Sequence, residues 1–336
     1  MNNSFVLPDQ QRGEETHAEP SRPDSRPRCR VDWWHAPPGT TLPSGALRAL
    51  HAGDAIRANP PTDADIVFAP RWLTMLALPR KRALVGEFRR QAGPCSLVLR
   101  PSSAGRPSSA AALPHGSASR LTLICLATIA TRRGSSTIAI EDLLAEYLRA
   151  VGSGDPKAHA RSLRNQVTAL TNCDFNISVF DREIDGKLIH SEPMNSALNG
   201  TSKKSFRPRW IELTPGFLTE RSGLALDRRA VAALRRSPFA LDVYMWMSQH
   251  IDRIAGPKFF NWDYLLREFA DCYTAKDAKK DFKKAFLVAL RDVLTVYPRA
   301  RVFVYPHRLM ILPSPPPVRA RDADAQRSPP PSPTGA

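Results

Sequence analysis

Residues 155–172 read DPKAHARSLRNQVTALTN, and this stretch decides the fold prediction. Asp155 can cap a helix through its carboxylate, and Pro156 suits the first helical position because no backbone donor is needed there. At about 100° per residue, one face gathers the apolar side chains Leu163, Val167 and Leu170. The opposite arc holds no acid. It is called here the first basic ridge, and it carries Lys157, Arg161, Arg164, Asn165, Thr168 and Asn172.

A regular order of elements surrounds this helix. Upstream, the pattern predicts a buried helix, a short strand and an amphipathic helix, at residues 120–131, 136–140 and 141–150. Downstream, it predicts a hairpin that turns at Asp185-Gly186, followed by a third strand, at residues 175–180, 187–190 and 210–213. The order is therefore helix, strand, two helices and hairpin.

The same order returns in the second half of the chain. Ser237-Pro238 opens a helix, and Thr274 to Asp277 has the spacing of a capping box before a long helix that Pro298 ends. The predicted helices and strands lie at residues 238–254, 258–260, 262–270, 274–297, 301–305 and 308–312. This order is typical of a winged helix-turn-helix. We expect an α+β fold, mainly α with small β hairpins, built as tandem winged helix-turn-helix domains with disordered termini.

Composition sets the expected boundaries. Both ends of the chain have too few large apolar side chains to offset the entropy lost on ordering. The expected segments are a disordered tail, a small N-terminal region of unknown role, a linker, two winged-helix domains and a Pro-rich disordered tail, at residues 1–30, 31–100, 101–112, 113–222, 223–313 and 314–336.

The charge indicates the class of partner. The chain has 48 Lys and Arg against 32 Asp and Glu, a net charge of +16 and a pI near 10.1. So large a positive charge predicts a polyanionic partner, and nucleic acid is favoured over a membrane surface because no basic amphipathic helix flanks an apolar anchor. No apolar run approaches the ~20 residues that cross a bilayer. Without a recognisable secretory signal, we expect a cytoplasmic protein.

The sequence contains no recognisable motif of an enzyme or a metal site. No phosphate-binding G-x-x-x-x-G-K-[ST] loop occurs, and the eight histidines include no H-x-H or H-x-x-x-H pair. The five cysteines lie far apart without a Cys-x-x-Cys pair, which disfavours both a disulfide framework and a cysteine zinc site. We expect no catalytic residue, no metal and no cofactor.

The last helix of each unit is the predicted DNA contact, because it enters the major groove in a helix-turn-helix. In the second unit, Phe282, Phe286, Ala289 and Val293 share one side of that helix. The second basic ridge lies opposite, interspersed with Leu287 and Asp277, and consists of Lys276, Lys280, Lys283, Lys284 and Arg291. The predicted wings add Lys187, Lys203, Lys204, Arg207, Arg301 and Arg308.

These side chains predict two kinds of contact. Arg and Asn can pair with guanine and adenine edges, whereas Lys chiefly neutralises phosphate. Base specificity is therefore expected from Arg161, Arg164 and Asn165, and phosphate contacts from Lys280 and Lys284.

Several short motifs follow one another in a specific order. They are LPHGS at 113–117, Arg120-Leu121, residues 128–132, LRNQ at 163–166, SPFALD at 237–242 with Tyr244 and Trp246, KKAF at 283–286, VYPRA at 296–300 and LPSP at 312–315. Together they resemble the plasmid-encoded RepA family of replication initiators, from Ile66 to Val318.

The resemblance implies a non-enzymatic, sequence-specific DNA-binding protein of bacteria that associates with its plasmid. Such initiators bind repeats at a plasmid origin, help to open the duplex, and recruit the host replication initiator and the replicative helicase. Related proteins repress their own gene as homodimers, which contributes to copy control, and act at the origin as monomers.

Two other interpretations stay open from the residues alone. One keeps the DNA binding but makes the protein a transcriptional repressor without initiation activity. The other, from a different class, is a basic nuclease or nickase, or an RNA-binding module. Nicking of supercoiled plasmid in Mg²⁺ would favour the enzyme, and preference for structured RNA would favour the RNA-binding module.

Overall fold

The computed structural model describes residues 44–82, 86–102, 113–152, 154–179, 182–191, 210–217, 223–251, 253–269 and 277–319. Its helices are α1 (Ser44–Ala58), α2 (Arg71–Met75), α3 (Gly116–Arg133), α4 (Ile140–Val151), α5 (Pro156–Thr171), α6 (Arg228–Leu234), α7 (Pro238–Ile251), α8 (Trp262–Phe269) and α9 (Ala278–Val296). Its strands are β1 (Ile66–Ala69), β2 (Phe88–Ala92), β3 (Cys95–Pro101), β4 (Thr137–Ala139), β5 (Cys173–Val179), β6 (Arg182–Gly186), β7 (Ile189–His190), β8 (Trp210–Leu213), β9 (Leu224–Asp227), β10 (Lys258–Asn261), β11 (Arg301–Val304) and β12 (Arg308–Leu312).

Helices and small antiparallel sheets alternate along the described chain, which confirms the predicted α+β class. The predicted tail at 1–30 and residues 192–209, which join β7 to β8, lie outside the described residues, as does most of the linker. The expected domain boundaries stay predictions.

Two three-stranded sheets share one topology. Their strand orders are β4-β8-β7 and β10-β12-β11, so in each sheet the last strand in sequence lies in the middle. Buried apolar residues pair across the strands of both sheets. Ile138 lies opposite Ile211 in the β4-β8-β7 sheet, and Phe260 lies opposite Leu309 in the β10-β12-β11 sheet. Each sheet follows a buried helix, α3 or α7, and each accompanies a pair of helices, α4 with α5 or α8 with α9.

The predicted hairpin of the first half is wrong. Strand β5 pairs with β6, so that Ile177 lies opposite Ile184 and Val179 lies opposite Arg182. Asp185-Gly186 therefore belongs to the end of β6 and is not the turn. Gly186 has φ +100°, which favours glycine, and it marks where the chain leaves β6 for β7. The hairpin of the first three-stranded sheet is instead formed by β7 and β8.

The segment before residue 101 contributes to both halves of the fold. Strand β3 pairs with β5, which makes the four-stranded sheet β2-β3-β5-β6, and β1 pairs with β9. Helix α1 packs on α6 and α9. Gly53 permits this approach, because a Cβ at this position would collide with the carbonyl oxygen of Thr295 on α9. The buried apolar residues of all these elements form one hydrophobic cluster.

Two segment ends also differ from the predictions. Helix α9 begins at Ala278 after Asp277, whose side chain makes no capping bond, and Thr274 lies outside the described residues. Residues 314–319, which the prediction assigned to the disordered C-terminal tail, are among the described residues and pack on the fold. Tyr297 donates its hydroxyl to the Pro315 carbonyl at 2.9 Å, and Val318 is buried, because this segment covers apolar surface next to α9.

Candidate nucleic-acid interface

Helix α5 has the two faces that its sequence predicts. The Asp155 carboxylate accepts the Lys157 backbone N–H at 2.9 Å, and Pro156 occupies the first helical position. Leu163, Val167 and Leu170 are buried. All six residues of the first basic ridge are exposed.

Neighbouring elements hold α5 in place. Helix α5 packs on α3 and α4. Burial raises the pKa of Tyr147 on α4, and the Tyr147 hydroxyl hydrogen-bonds Ser162 on α5. The side-chain oxygen of Gln166 accepts the His115 backbone N–H at 3.4 Å. The first basic ridge therefore lies on a helix whose opposite face is held by α3, α4 and these hydrogen bonds.

Five ridge side chains have no hydrogen-bond or ion-pair partner among the described residues, namely Lys157, Arg161, Arg164, Asn165 and Asn172. Thr168 differs, because its hydroxyl donates to the Arg164 carbonyl at 2.9 Å and so is used within the helix. The donors of the other five are available to an external ligand.

Helix α9 presents a smaller basic surface than its sequence predicts. Phe282, Phe286, Ala289 and Val293 are buried, and Lys280 and Lys284 are exposed and have no partner in the described part of the chain. Lys276 lies outside that part.

Lys283 holds the β11–β12 loop instead of facing solvent. It is half-buried, its Nζ donates to the Pro306 carbonyl at 2.7 Å, and the Nζ lies 4.9 Å from the Trp262 ring centroid. The indole Nε1 of Trp262 donates to the same carbonyl at 3.0 Å. Lys283 and Trp262 thus fix the loop to the start of α8 and α9.

The positive charge of Arg291 is compensated by a carboxylate of its own helix. Its Nε and Nη2 lie 3.1 and 3.0 Å from Oδ1 of Asp292, and the side chain is half-buried. Arg291 therefore contributes little free positive charge to the second basic ridge.

The predicted wing residues divide into three groups. Arg301 donates to the Pro313 carbonyl at 2.6 Å and so holds the C-terminal segment. Arg308 is exposed, with its guanidinium carbon 4.3 Å from the Phe259 ring centroid, and Lys187 is half-buried between β6 and β7. The remaining residues, Lys203, Lys204 and Arg207, lie outside the described residues.

The sequence reasoning missed a cleft of about 620 Å³ beside the start of α9. The β11–β12 loop and the start of α8 form its other walls, and the residues that line it include Asn261, Lys279, Lys280 and His307. Lys279 forms an ion pair with Asp263 at 2.8 Å. No local pattern could have revealed the cleft, because its walls come from three segments that are separated in the sequence.

No helix among the described residues is both long and apolar enough to span a membrane. The same part of the chain contains no group of three or more His, Cys, Asp or Glu side chains that could hold a metal ion.

Comparison with protein families confirms the resemblance over part of the chain. Residues 113–264 match the family described as plasmid encoded RepA protein. The matched segment contains the helices from α3 to α7 and ends within α8, so α9 lies outside it. No curated protein matches the chain.

Two solved structures are similar to this chain at low identity. The crystal structure of selenomethionine derivatives of domains 2 and 3 of RctB is 14% identical, covers 73% of this chain and 99% of its own, and has a TM-score of 0.45. A second crystal structure of RctB domains 2-3 is 12% identical, covers 77% of this chain and 100% of its own, and has a TM-score of 0.42.

Proposed function

We propose that this protein is a plasmid replication initiator that binds repeated sequences in duplex DNA through two winged helix-turn-helix units. The observation that carries the proposal is the exposed face of α5, where Arg161, Arg164 and Asn165 have free side-chain donors and no acid lies among them. The match of residues 113–264 to the plasmid-encoded RepA family supports the choice of initiator over other DNA-binding proteins.

The topology supports the winged-helix assignment. In each unit, the exposed basic face belongs to the second helix of a helix pair, and a β hairpin follows that helix. In a winged helix-turn-helix, this second helix enters the major groove and the hairpin lies against the phosphate backbone. Helices α5 and α9 are therefore the proposed recognition helices.

The two recognition helices carry different chemistry. On α5, Arg161 and Arg164 suit guanine edges and Asn165 suits adenine edges. On α9, Lys280 and Lys284 are point charges that suit phosphate. The proposed division is that α5 supplies base specificity and that α9 supplies affinity that depends on salt.

Binding of both units to one duplex would combine their free energies without any new contact. The protein would then act at the origin without catalysis, helping to open the duplex and drawing in the host replication initiator and helicase. Repression of its own gene by a homodimer is part of the same proposal.

Footprinting on DNA that flanks the protein's own gene tests this function. Purified protein should protect repeated sequences in register, at concentrations at which scrambled DNA of equal length stays unprotected. Protection of all sequences alike, or a preference for structured RNA, would contradict the proposal. A plasmid-maintenance assay then separates initiation from repression, because a repressor alone cannot maintain an origin plasmid.

A further inference from the structure

A continuous path of buried contacts joins the two recognition helices. Helix α5 packs on α3, and α9 packs on α7. Phe239 of α7 contacts Phe282 and Phe286 of α9, with ring centroids 6.1 Å apart in both pairs. Helix α3 packs on α7 in turn, so along this path the distance between α5 and α9 depends on how α3 is fixed to α7. A second path runs through α4 and α6, because α4 packs on α5 and α6, and α6 packs on α9.

Arg120 of α3 and Asp242 of α7 make that connection. The Nε of Arg120 lies 2.6 Å from Oδ1 of Asp242, and Nη2 lies 2.8 Å from Oδ2. The remaining N–H groups donate to the carbonyls of Leu78, Pro79 and Gly116, at 2.6, 3.3 and 2.7 Å. Both charged side chains are buried. Because every N–H of the guanidinium has an acceptor, its orientation is fully determined.

Arg80 extends the connection to α8. Its guanidinium carbon lies 3.8 Å from the Phe239 ring centroid, and its Nε lies 3.9 Å from Oδ2 of Asp242. Its Nη2 donates to the carbonyl of Phe269, the last residue of α8, at 2.6 Å. The last carbonyls of a helix have no partner within the helix and carry its negative dipole end, so a cation is favourable there.

We propose that Arg80, Arg120 and Asp242 form a rigid joint that fixes the distance between α5 and α9, and thereby the spacing of the two DNA half-sites that the protein accepts. The role of the joint in half-site spacing rests on the proposed function, since half-sites presuppose that both helices bind one duplex. An apolar contact allows sliding, whereas a bidentate buried ion pair has one favourable geometry. The three residues act as positioning residues, because Arg120 and Asp242 are buried, Arg80 is largely buried, and none of them belongs to α5 or α9.

The joint can be tested without DNA. Spin labels at Ala158 of α5 and Val288 of α9, both exposed, report the distance between the helices by double electron–electron resonance. Cys29 and Cys272 are replaced by serine, and the other cysteines, Cys95, Cys125 and Cys173, are buried. The otherwise native chain should give one narrow distance distribution.

Two variants perturb the joint and a third serves as the control. Asp242→Asn removes the carboxylate charge, and Arg80→Gln leaves the Arg120–Asp242 pair intact, so it decides the question if Asp242→Asn fails to fold. Glu146→Gln is the control, because Glu146 is an equally buried carboxylate that forms no ion pair with α7 in the described part of the chain. Its shorter ion pair, with Arg149 at 2.6 Å, lies within α4, and its longer one, with Arg132 at 4.0 Å, joins α4 to α3. Both joint variants should broaden or shift the distribution, and the control should not.

A spacing series tests the consequence for DNA. Two half-sites are separated by inserts of up to half a helical turn, about 5 base pairs. The native chain should bind its preferred spacing about tenfold or more tightly than the half-turn insert, because simultaneous engagement is lost. In the Arg80→Gln variant this preference should fall below about threefold.

The outcomes separate the joint from the function. A broad distribution in the native chain, or joint variants as narrow as the native chain, would overturn the joint. Tight DNA binding that ignores spacing would overturn its role in half-site selection. Absence of binding at every spacing would instead overturn the proposed function, and the distance measurement alone would then decide the joint.

Discussion

Replacing Arg164 by alanine separates base recognition from phosphate attraction on α5. Arg164 is exposed and has no side-chain partner among the described residues, so the free energy of unfolding should change by less than about 0.5 kcal/mol. A good bidentate pair with a base discriminates by about 1 to 3 kcal/mol. Cognate binding should therefore weaken by about 5- to 150-fold, since each 1.4 kcal/mol is about tenfold.

The assay is a titration of labelled duplex by fluorescence anisotropy, with the footprinted repeat and a scrambled duplex compared at one salt concentration. Arg164→Lys is the matched variant, because it keeps the charge and loses the planar fork that pairs with guanine. It should lose cognate affinity nearly as alanine does, while binding to scrambled DNA stays close to native. Equal losses on both duplexes, or full rescue by lysine, would refute base recognition by Arg164.

Three further predictions concern the second unit. Lys284→Met should lower the slope of log K against log salt by about 0.9, equally on cognate and scrambled DNA. The neighbouring Lys283→Met should leave that slope unchanged. It should lower the free energy of unfolding by about 0.5 to 1.5 kcal/mol, because it removes the hydrogen bond to the Pro306 carbonyl. A change of slope in the salt titration of this variant would contradict the structural role of Lys283. Burial against Trp246 lowers the pKa of His250 from 6.5 to about 4. The unfolded chain therefore binds a proton at His250 more readily than the folded protein does. The contribution of His250 to the free energy of unfolding is complete above pH 6.5 and is lost as the pH falls toward 4. In urea unfolding, His250→Phe should remove about 2 kcal/mol of the stability loss between pH 7 and 4.5, and parallel pH profiles would contradict this.

Local sequence rules predict the helices and the first basic ridge well. Asp155 and Pro156 start α5 as expected, and the spacing of Leu163, Val167 and Leu170 places the apolar face against the core. These features depend on neighbouring residues and on a period of about 3.6 residues, so they are visible without knowledge of the fold.

Long-range strand pairing is not visible in the same way. The Asp185-Gly186 dipeptide is typical of a hairpin turn, yet β6 continues through it because Ile184 lies opposite Ile177 in the sheet. The pairing of β3 with β5 joins segments far apart in sequence, and no periodic pattern specifies that choice.

The contacts of the second basic ridge could not be predicted from the sequence either. A helical wheel places Lys283 beside Lys284, but only the folded chain brings the Pro306 carbonyl and the Trp262 ring to Lys283. Likewise, Arg120 and Asp242 lie far apart in the sequence, and only the folded chain shows that the two residues form one buried ion pair.

Tethered cleavage tests most directly whether α5 and α9 engage one duplex. An iron chelate is attached to a cysteine that replaces Thr168 of α5 in one variant and Lys280 of α9 in another, both exposed positions. The account predicts two clusters of DNA cleavage on the same face of the duplex, separated by about 10 base pairs or a multiple of this spacing. Cleavage from only one of the two positions, or clusters on opposite faces of the duplex, would contradict it.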